Sequence, residues 1–370
     1  MTRDDRFRPL VSIITPVRNR ARFLKQAVDS VLEQDYPHVE HVVVDGASTD
    51  GTTDLLRDYS ARFPDRVRFI SEPDHGACDA WNKGWSLARG DIFGWLGADD
   101  FLEPGAINTV VSHFRKLPHA HFIYGECSIA DETGRVIGRY ATSDYDRARY
   151  VNAANGIAAM AAFYTRQLVE TVGPLDTTMN LCDCDYWIRA AEKFRLHRIP
   201  EVLANFRYHD ISVTRNLQGS TYLSEQFTLN RRYGGSLFSP VGRRYLRYLW
   251  TKVPGANWLA RAIRSRNDAA DSFSRVAIFG AALSGRNCLE TLLERGIDVI
   301  YFIDNAPPPG GLFMDRRVVT PAEADWTTID AVYIASSGRS AEMIRELKQK
   351  KYTGPAIIWN TEPTRISSTP

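Results

Sequence analysis

Two adjacent carboxylates, Asp99 and Asp100, close an apolar run from Ile92 to Leu96. Carboxylates at a strand end can accept hydrogen bonds from a ribose or a base. As hard oxygen ligands they can also hold Mg2+ or Mn2+ on a diphosphate. The plainer alternative is a pair of turn or helix-cap aspartates ahead of Pro104. Asp45 closes a second apolar run, Val39 to Val44, in the same way. Further along, Asp183 and Asp185 stand two apart in N-L-C-D-C-D-Y-W-I-R (180–189). Residues two apart on a helix point about 200° away from each other, so the two acids are expected to face different surroundings. Asp185 has Arg189 four positions later, which is ion-pair spacing and marks it as the structural acid of the two.

The elements that must position these residues alternate through the first hundred positions. Val11 to Thr15 is an apolar run ending at Pro16, and Leu24, Ala27, Val28, Val31 and Leu32 then recur at helical spacing. After Val39–Val44, the segment Ser48-Thr49-Asp50-Gly51 is turn and helix-cap chemistry. Val67 to Ile70 reads as a third strand, Ala77 to Ala88 as a helix and Ile92 to Leu96 as a fourth strand. Strands separated by helices predict a parallel, doubly wound α/β sheet. Ligands of such sheets collect beyond the C-terminal strand ends, where Asp45, Asp99 and Asp100 fall.

At 370 residues the chain has room for two domains, and a net charge of +2 gives no global preference for nucleic acid. The five cysteines are scattered and show no zinc spacing, which fits a reduced, cytoplasmic compartment. Leu181, Cys184, Ile188 and Ala191 form one helical stripe, so Cys184 reads as a core residue. Met1 to Pro9 lacks the apolar core of a signal peptide, and no run of 18 apolar residues reads as a membrane span.

Beyond about Thr214 the pattern changes. Arg231 to Arg266 holds nine Arg or Lys and no Asp or Glu, interleaved with aromatics such as Phe238, Tyr245, Trp250 and Trp258. This stretch suits either peripheral contact with an anionic membrane or packing between domains. Pro254 and Gly255 break any single long helix there. Strand–helix alternation resumes with R-V-A-I-F-G-A-A-L-S-G (275–285), and a further strand ends at Asp304, where dinucleotide folds place a ribose-binding acid. Ala282 stands where the second glycine of that fingerprint belongs, which disfavours tight dinucleotide binding. The expected organisation is 1–215, a basic and aromatic helical linker 216–271, and a smaller Rossmann-like domain 272–370.

Four ordered motifs narrow the reading: V-S-I-I-T-P-V-R-N (11–19), V-V-V-D-G-A-S-T-D-G-T (42–52), E-P-D-H-G-A-C-D-A-W-N-K-G (72–84) and A-R-G-D-I-F-G-W-L-G-A-D-D (88–100). In this order they resemble the inverting family-two glycosyltransferases of GT-A fold, over roughly residues 10–215. The resemblance implies that Thr15, Pro16 and Arg18 lie along the nucleotide, Asp45 meets the uracil and Lys83 approaches the nucleotide or phosphates. It implies that Asp99 takes the ribose, that Asp100 with His209 of R-Y-H-D-I-S-V-T (207–214) takes a divalent metal, and that Asp183 is the catalytic base. Cys182 stands where that family carries an acid. The segment from 275 onward resembles small Rossmann-like domains appended to transferases.

The activity implied is transfer of a sugar from a nucleotide sugar, UDP-linked by resemblance, to a hydroxyl of a glycan or lipid-linked acceptor in surface-glycan synthesis. The resemblance also leaves a homo-oligomer open. A sugar nucleotidyltransferase is the first rival, but the loop Thr15–Asn19 has no glycine to cradle a triphosphate. A non-catalytic nucleotide-sugar-binding protein is the second, against which the retained acids Asp45, Asp99, Asp100 and Asp183 count. An oxidoreductase would rest on the C-terminal part alone.

Overall fold

The computed structural model describes residues 7–140, 142–153, 156–209 and 220–252. Toward the C-terminus it describes 273, 275–280, 285, 288–289, 292, 297–305, 307, 312–313, 316–335, 340–350, 352–359 and 363–366. The chain divides into two compact units, Met1–Tyr248 and Leu249–Pro370.

The first unit opens as β1 (Val11–Val17), α1 (Ala21–Leu32), β2 (Val39–Asp45), α2 (Thr52–Arg62), β3 (Val67–Ser71), α3 (Ala77–Leu87) and β4 (Ile92–Trp95). The four strands pair in parallel, in the order β3-β2-β1-β4. β1 and β2 are buried along almost their whole length, as central parallel strands covered on both faces must be. Helix α1 turns Phe23, Leu24, Ala27, Val28 and Val31 inward.

Neither α1 nor α2 is capped by the residue immediately before it. Asp50 serves both, accepting the Ala21 N–H at 3.0 Å through one carboxylate oxygen and the Thr52 N–H at 3.1 Å through the other. Asn19 and Ala47 have φ of 53° and 56°, an uncommon region for residues with a β-carbon. Their loops are tied together: the Asn19 N–H donates to Ser48 Oγ at 2.7 Å, and the Thr49 N–H donates to Asn19 Oδ1 at 2.8 Å. The ends of β1 and β2 are thus one braced ledge.

Past Trp95 the alternation stops. There follow β5 (Phe101–Leu102), α4 (Ala106–Lys116), β6 (Phe122–Ala130), β7 (Val136–Arg139), α5 (Arg147–Asn152), β8 (Ala162–Thr165), α6 (Arg166–Val172), α7 (Cys182–Ala191), β9 (Leu196–Arg207) and α8 (Ser220–Arg232). The sheet continues β8-β6-β9-β5, with β8 antiparallel to both β4 and β6 and β5 antiparallel to β9. The sheet is therefore mixed, where the sequence predicts a parallel one. In the other half only β6 and β9 run parallel, joined by a long connection through α5, α6 and α7.

Below α3 and α7 lies an aromatic core in which Trp85, Trp95, Phe122, Tyr164, Tyr186 and Trp187 are all buried. Leu229 of α8 is buried in the same core, and Tyr222 and Tyr233 pack against it. The first compact unit continues through α8 to Tyr248. A further helix, α9 (Pro240–Lys252), spans the division.

The second unit contains β10 (Arg275–Phe279), β11 (Asp298–Ile303), β12 (Leu312–Phe313), β13 (Arg316–Val319), β14 (Ala331–Ile334), α10 (Ser340–Gln349), β15 (Ala356–Trp359) and β16 (Pro363–Ile366). Its sheet runs β12-β13-β11-β10-β14-β15-β16, parallel through the five central strands and antiparallel at both edges. Gly280 follows β10 with φ 116°. A β-carbon there would lie 2.4 Å from the Ala335 carbonyl oxygen. Ala282, like Ser272, Pro254, Gly255 and Trp258, lies outside the described residues.

Candidate active site

The Asp99–Asp100 turn sits just past β4 and is held by the end of β9. The Arg207 N–H donates to Asp100 Oδ1 at 2.9 Å, and Arg207 Nε donates to the Asp99 carbonyl at 2.7 Å. Arg207 is itself buried, and its guanidinium also donates to the Glu132 carbonyl at 2.8 Å and to Gln26 at 2.5 Å. His209 Nε2 lies 2.8 Å from Asp99 Oδ2, with its ring packed on Phe23 at 4.5 Å between centroids. The structure thus brings His209 to Asp99, where the resemblance pairs it with Asp100. Its Nδ1 is buried and has no hydrogen-bond partner among the described residues.

The other two carboxylate oxygens converge. A β-carbon built on Gly97 would lie 2.6 Å from Asp100 Oδ2 and 2.9 Å from Asp99 Oδ1. Glycine at 97 is therefore what lets both acids fold over one point. Burial, and then the charge of Asp99, push the Asp100 carboxyl well above its ordinary pKa. Two facing carboxylates in a dry turn with an imidazole beside them are a donor set that fits Mg2+ or Mn2+. Among the described residues no three His, Cys, Asp or Glu side chains yet stand close enough to enclose an ion.

The braced ledge at the ends of β1 and β2 receives the other expected nucleotide contacts unevenly. Arg18 is exposed and Pro16 half-buried. The Thr15 side chain is entirely buried, its hydroxyl 2.8 Å from His41 Nε2. It is a core residue, since a buried hydroxyl takes the nearest partner, and that partner is a histidine whose pKa burial lowers to about 3. Asp45 is equally buried, and its carboxylate accepts from the Thr53 hydroxyl at 3.1 Å, the Ser71 hydroxyl at 2.6 Å and Ser48. Lys83 sits on α3 between Glu72 at 2.9 Å and Asp79 at 3.3 Å. Those carboxylates hold its charge at the β3–α3 loop.

Helix α7 carries Asp183 and Asp185, and the surroundings of the two acids differ as their spacing predicts. Asp185 is 1% exposed and accepts from Arg189 at 2.7 Å, Arg232 at 2.9 Å and the Tyr233 hydroxyl at 2.6 Å. Asp183 is half-buried and accepts the Cys184 N–H at 2.8 Å. Burial raises its pKa above the ordinary carboxylate value, opposed by the hydrogen bonds from Cys184. Cys184 is buried in the core.

Two supports of α7 are not legible in the sequence. The residue before the helix, Leu181, provides no side-chain cap. Glu225 of α8 takes that place, accepting the N–H groups of Asn180 at 2.9 Å and Leu181 at 3.0 Å and the Asn180 amide at 2.6 Å. Only the contact between segments 45 residues apart reveals it. We expect Glu225→Ala to cost about 1–2 kcal/mol, the usual value of a helix cap. Thermal melting checks this, and an unchanged Tm would mean that solvent replaces the cap.

The other support is a disulfide between Cys78 of α3 and Cys182 of α7, with Cα atoms 6.3 Å apart. Sequence spacing cannot show a pairing across 104 residues. The reduced state expected for all five cysteines does not hold for these two. Cys127, Cys184 and Cys288 are buried and form no disulfide.

An α/β unit with a mixed sheet and acids at the ends of β2 and β4 has the architecture of the GT-A glycosyltransferases. In accord with this, residues 12–168 match the family model described as glycosyl transferase family 2. The chain is 33% identical over 183 residues to a PGL/p-HBAD biosynthesis glycosyltransferase of Mycobacterium bovis, across 49% of this chain and 69% of that protein. It belongs to glycosyl transferase family 2.

It is also 31% identical over 202 residues to the chondroitin synthase of Escherichia coli, across 54% of this chain but 29% of that protein. The matched stretch spans less than a third of this and two further first relatives. Among solved structures, the mannosyltransferase PcManGT of Pyrobaculum calidifontis, in complex with GDP-Man and Mn2+, superposes with a TM-score of 0.50 at 22% identity. That superposition covers 80% of this chain and 83% of PcManGT and establishes the fold.

Proposed function

We propose that the first unit transfers a sugar, with inversion, from a nucleoside-diphosphate sugar to a hydroxyl of a glycan or lipid-linked acceptor. The observation that carries this reading is the pairing of two acidic centres with opposite surroundings. Asp99 and Asp100 converge over Gly97 at a strand end. Asp183 is held on α7 with no cation paired to it among the described contacts. The first centre suits a diphosphate through a cation, the second an acceptor proton. UDP is the proposed nucleotide by resemblance, and Asp45, Arg18 and Lys83 remain its proposed neighbours. Contact with Asp45 would have to displace one of the hydroxyls that now donate to its carboxylate.

In the proposed mechanism the ledge of β1 and β2 holds the nucleotide, and Asp183 accepts the acceptor hydroxyl's proton as that oxygen attacks the anomeric carbon. Inversion follows because attack comes from the face opposite the leaving group. Asp100, Asp99 and His209 would hold a divalent cation, which when bound neutralises the charge developing on the departing diphosphate. Arg207 keeps the Asp99–Asp100 turn in place from behind. The remaining binding energy goes to orientation of donor and acceptor.

Calorimetry of UDP and GDP with Mn2+ and with chelator tests the donor half. We expect metal-dependent affinity that Asp100→Ala abolishes; equal affinity in both conditions, for wild type and variant alike, would refute it. A pH profile tests the acceptor half. Transfer requires Asp183 ionised, so kcat/KM falls as pH drops through its pKa. Because burial raises that pKa, the acid limb is expected above the ordinary carboxylate value of about 4. An acid limb at or below that value would argue for another base.

For the second unit we propose a structural or assembly role. The five central strands follow the order of doubly wound Rossmann-like sheets, while the incomplete fingerprint argues against redox catalysis. The proposed peripheral membrane contact draws support from residues near α9: Phe238 is 78% exposed, with Leu237 and Leu246 also exposed. Much of the basic stretch lies outside the described residues. No described helix is long and apolar enough to cross a membrane.

A further inference from the structure

Helix α7 is tied to its surroundings very unevenly. Several polar ties of its first turns run to α8 and the residue that follows it. Glu225 holds the amides of Asn180 and Leu181, while Arg232 and Tyr233 hold Asp185. On the other side stands α3, at the edge of the donor ledge. The segment leading into α7 is pinned to α3 once by hydrogen bonds, where the Asn82 side-chain amide both donates to the Leu175 carbonyl at 3.1 Å and accepts its N–H at 2.9 Å. At the start of α7 itself, the tie to α3 is the Cys78–Cys182 bond. It joins the first turn of one helix to the first residue of the other, and Asp183 is the next residue in the chain.

We propose that the Cys78–Cys182 bridge is a reversible positioning device for Asp183, fixing the first turn of α7 against α3 when closed and releasing it when opened by thiol–disulfide exchange. The inference rests on the reading of Asp183 as the base. Closing removes two protons and two electrons from the two thiols. A low-molecular-weight disulfide accepts them and leaves as two thiols. Opening is the reverse, with a dithiol as reductant.

The surroundings suit both states. Both cysteines are buried in the aromatic core, so the bridge itself is dry. Cys78 Sγ lies 3.3 Å from the Met179 carbonyl oxygen, an acceptor in place for the thiol proton once the bond is open. The chain enters α3 through the exposed residues His75, Gly76 and Ala77. Gly76 has φ 104°, a conformation that favours glycine, and a β-carbon there would meet nothing within 4 Å. A small thiol or disulfide would approach Cys78 from this exposed entry. Opened, the bridge no longer ties the first residue of α7 covalently to α3 while the contacts to α8 persist, so donor binding at the strand ends is expected to persist while the base loses its fixed position.

The test uses the full chain, oxidised with glutathione disulfide or reduced with dithiothreitol, with the state of Cys78 and Cys182 read by alkylation and mass spectrometry. Reduction is expected to lower kcat by roughly 10- to 100-fold, the cost of a misplaced catalytic group, with the donor KM little changed and activity regained on reoxidation. The Cys78→Ser/Cys182→Ser variant should show the reduced rate and no response to either reagent.

Hydrogen exchange of residues 178–185 should speed up on reduction, a readout independent of turnover. Three outcomes would overturn the proposal: thiols that stay free after oxidation, exchange unchanged by opening, or kcat and donor affinity falling together as the fold loosens. If oxidised wild type transfers no sugar from any donor, the functional reading fails separately, and the exchange result still decides whether the bridge fixes α7.

Discussion

Asp183→Asn is expected to lower the rate of sugar transfer by roughly 10² to 10⁴, the usual contribution of a general base, and to leave donor affinity near that of wild type. The amide keeps the shape of the carboxylate and can still accept the Cys184 N–H, so the helix start should be preserved. It cannot take a proton. A loss confined to kcat marks an interaction used in the transition state rather than in donor binding. Initial rates together with isothermal titration of the nucleotide separate the two. Transfer at near wild-type rate would place the base elsewhere.

Asp185→Asn is expected to act on stability instead. Asp185 is buried beneath two guanidiniums and a tyrosine hydroxyl, and neutralising it strands those charges at the edge of the core. Breaking a buried pair by removing one partner costs about 3–5 kcal/mol. Because Arg189 and Arg232 are 25% and 38% exposed in their side chains, water recovers part of this, and we expect about 2–3 kcal/mol. Chemical denaturation reads it directly. Folded Asp185→Asn protein should retain most of its specific activity. A catalytic loss as large as that of Asp183→Asn, at unchanged stability, would reverse the assignment of the two acids.

The different surroundings of the two acids were legible in the sequence because a helix converts spacing into direction, and because Arg189 lies one turn from Asp185. The β1–β4 half of the sheet was legible for a similar reason. Strands covered on both faces are near-continuous apolar runs, and they end where Asp45 and Asp99 begin. The mixed half was not, since β8 and β5 pair antiparallel with partners far away in the chain and carry no crossover signature.

Within the site, a strand-end position did not reveal that Thr15 is buried against His41, nor that Ser48, Thr53 and Ser71 fill the carboxylate of Asp45. Arg207, Glu225 and the Cys78–Cys182 bridge also escaped the sequence. Each acts on a partner more than 40 residues away, and no local pattern records such a meeting. Arg207 stood in the sequence only as the first residue of R-Y-H-D-I-S-V-T (207–214), with no role read for it.

The central claim is inverting transfer from a nucleotide sugar by the first unit. Its most direct measurement offers the purified chain a panel of UDP- and GDP-linked sugars with Mn2+ and a set of hydroxyl acceptors, then reads the product's anomeric configuration by proton NMR. The account predicts a glycoside formed from one donor class, with configuration opposite to that in the donor, and loss of the product in Asp183→Asn. A product that retains the donor's configuration, or one formed equally well by Asp183→Asn, would contradict it.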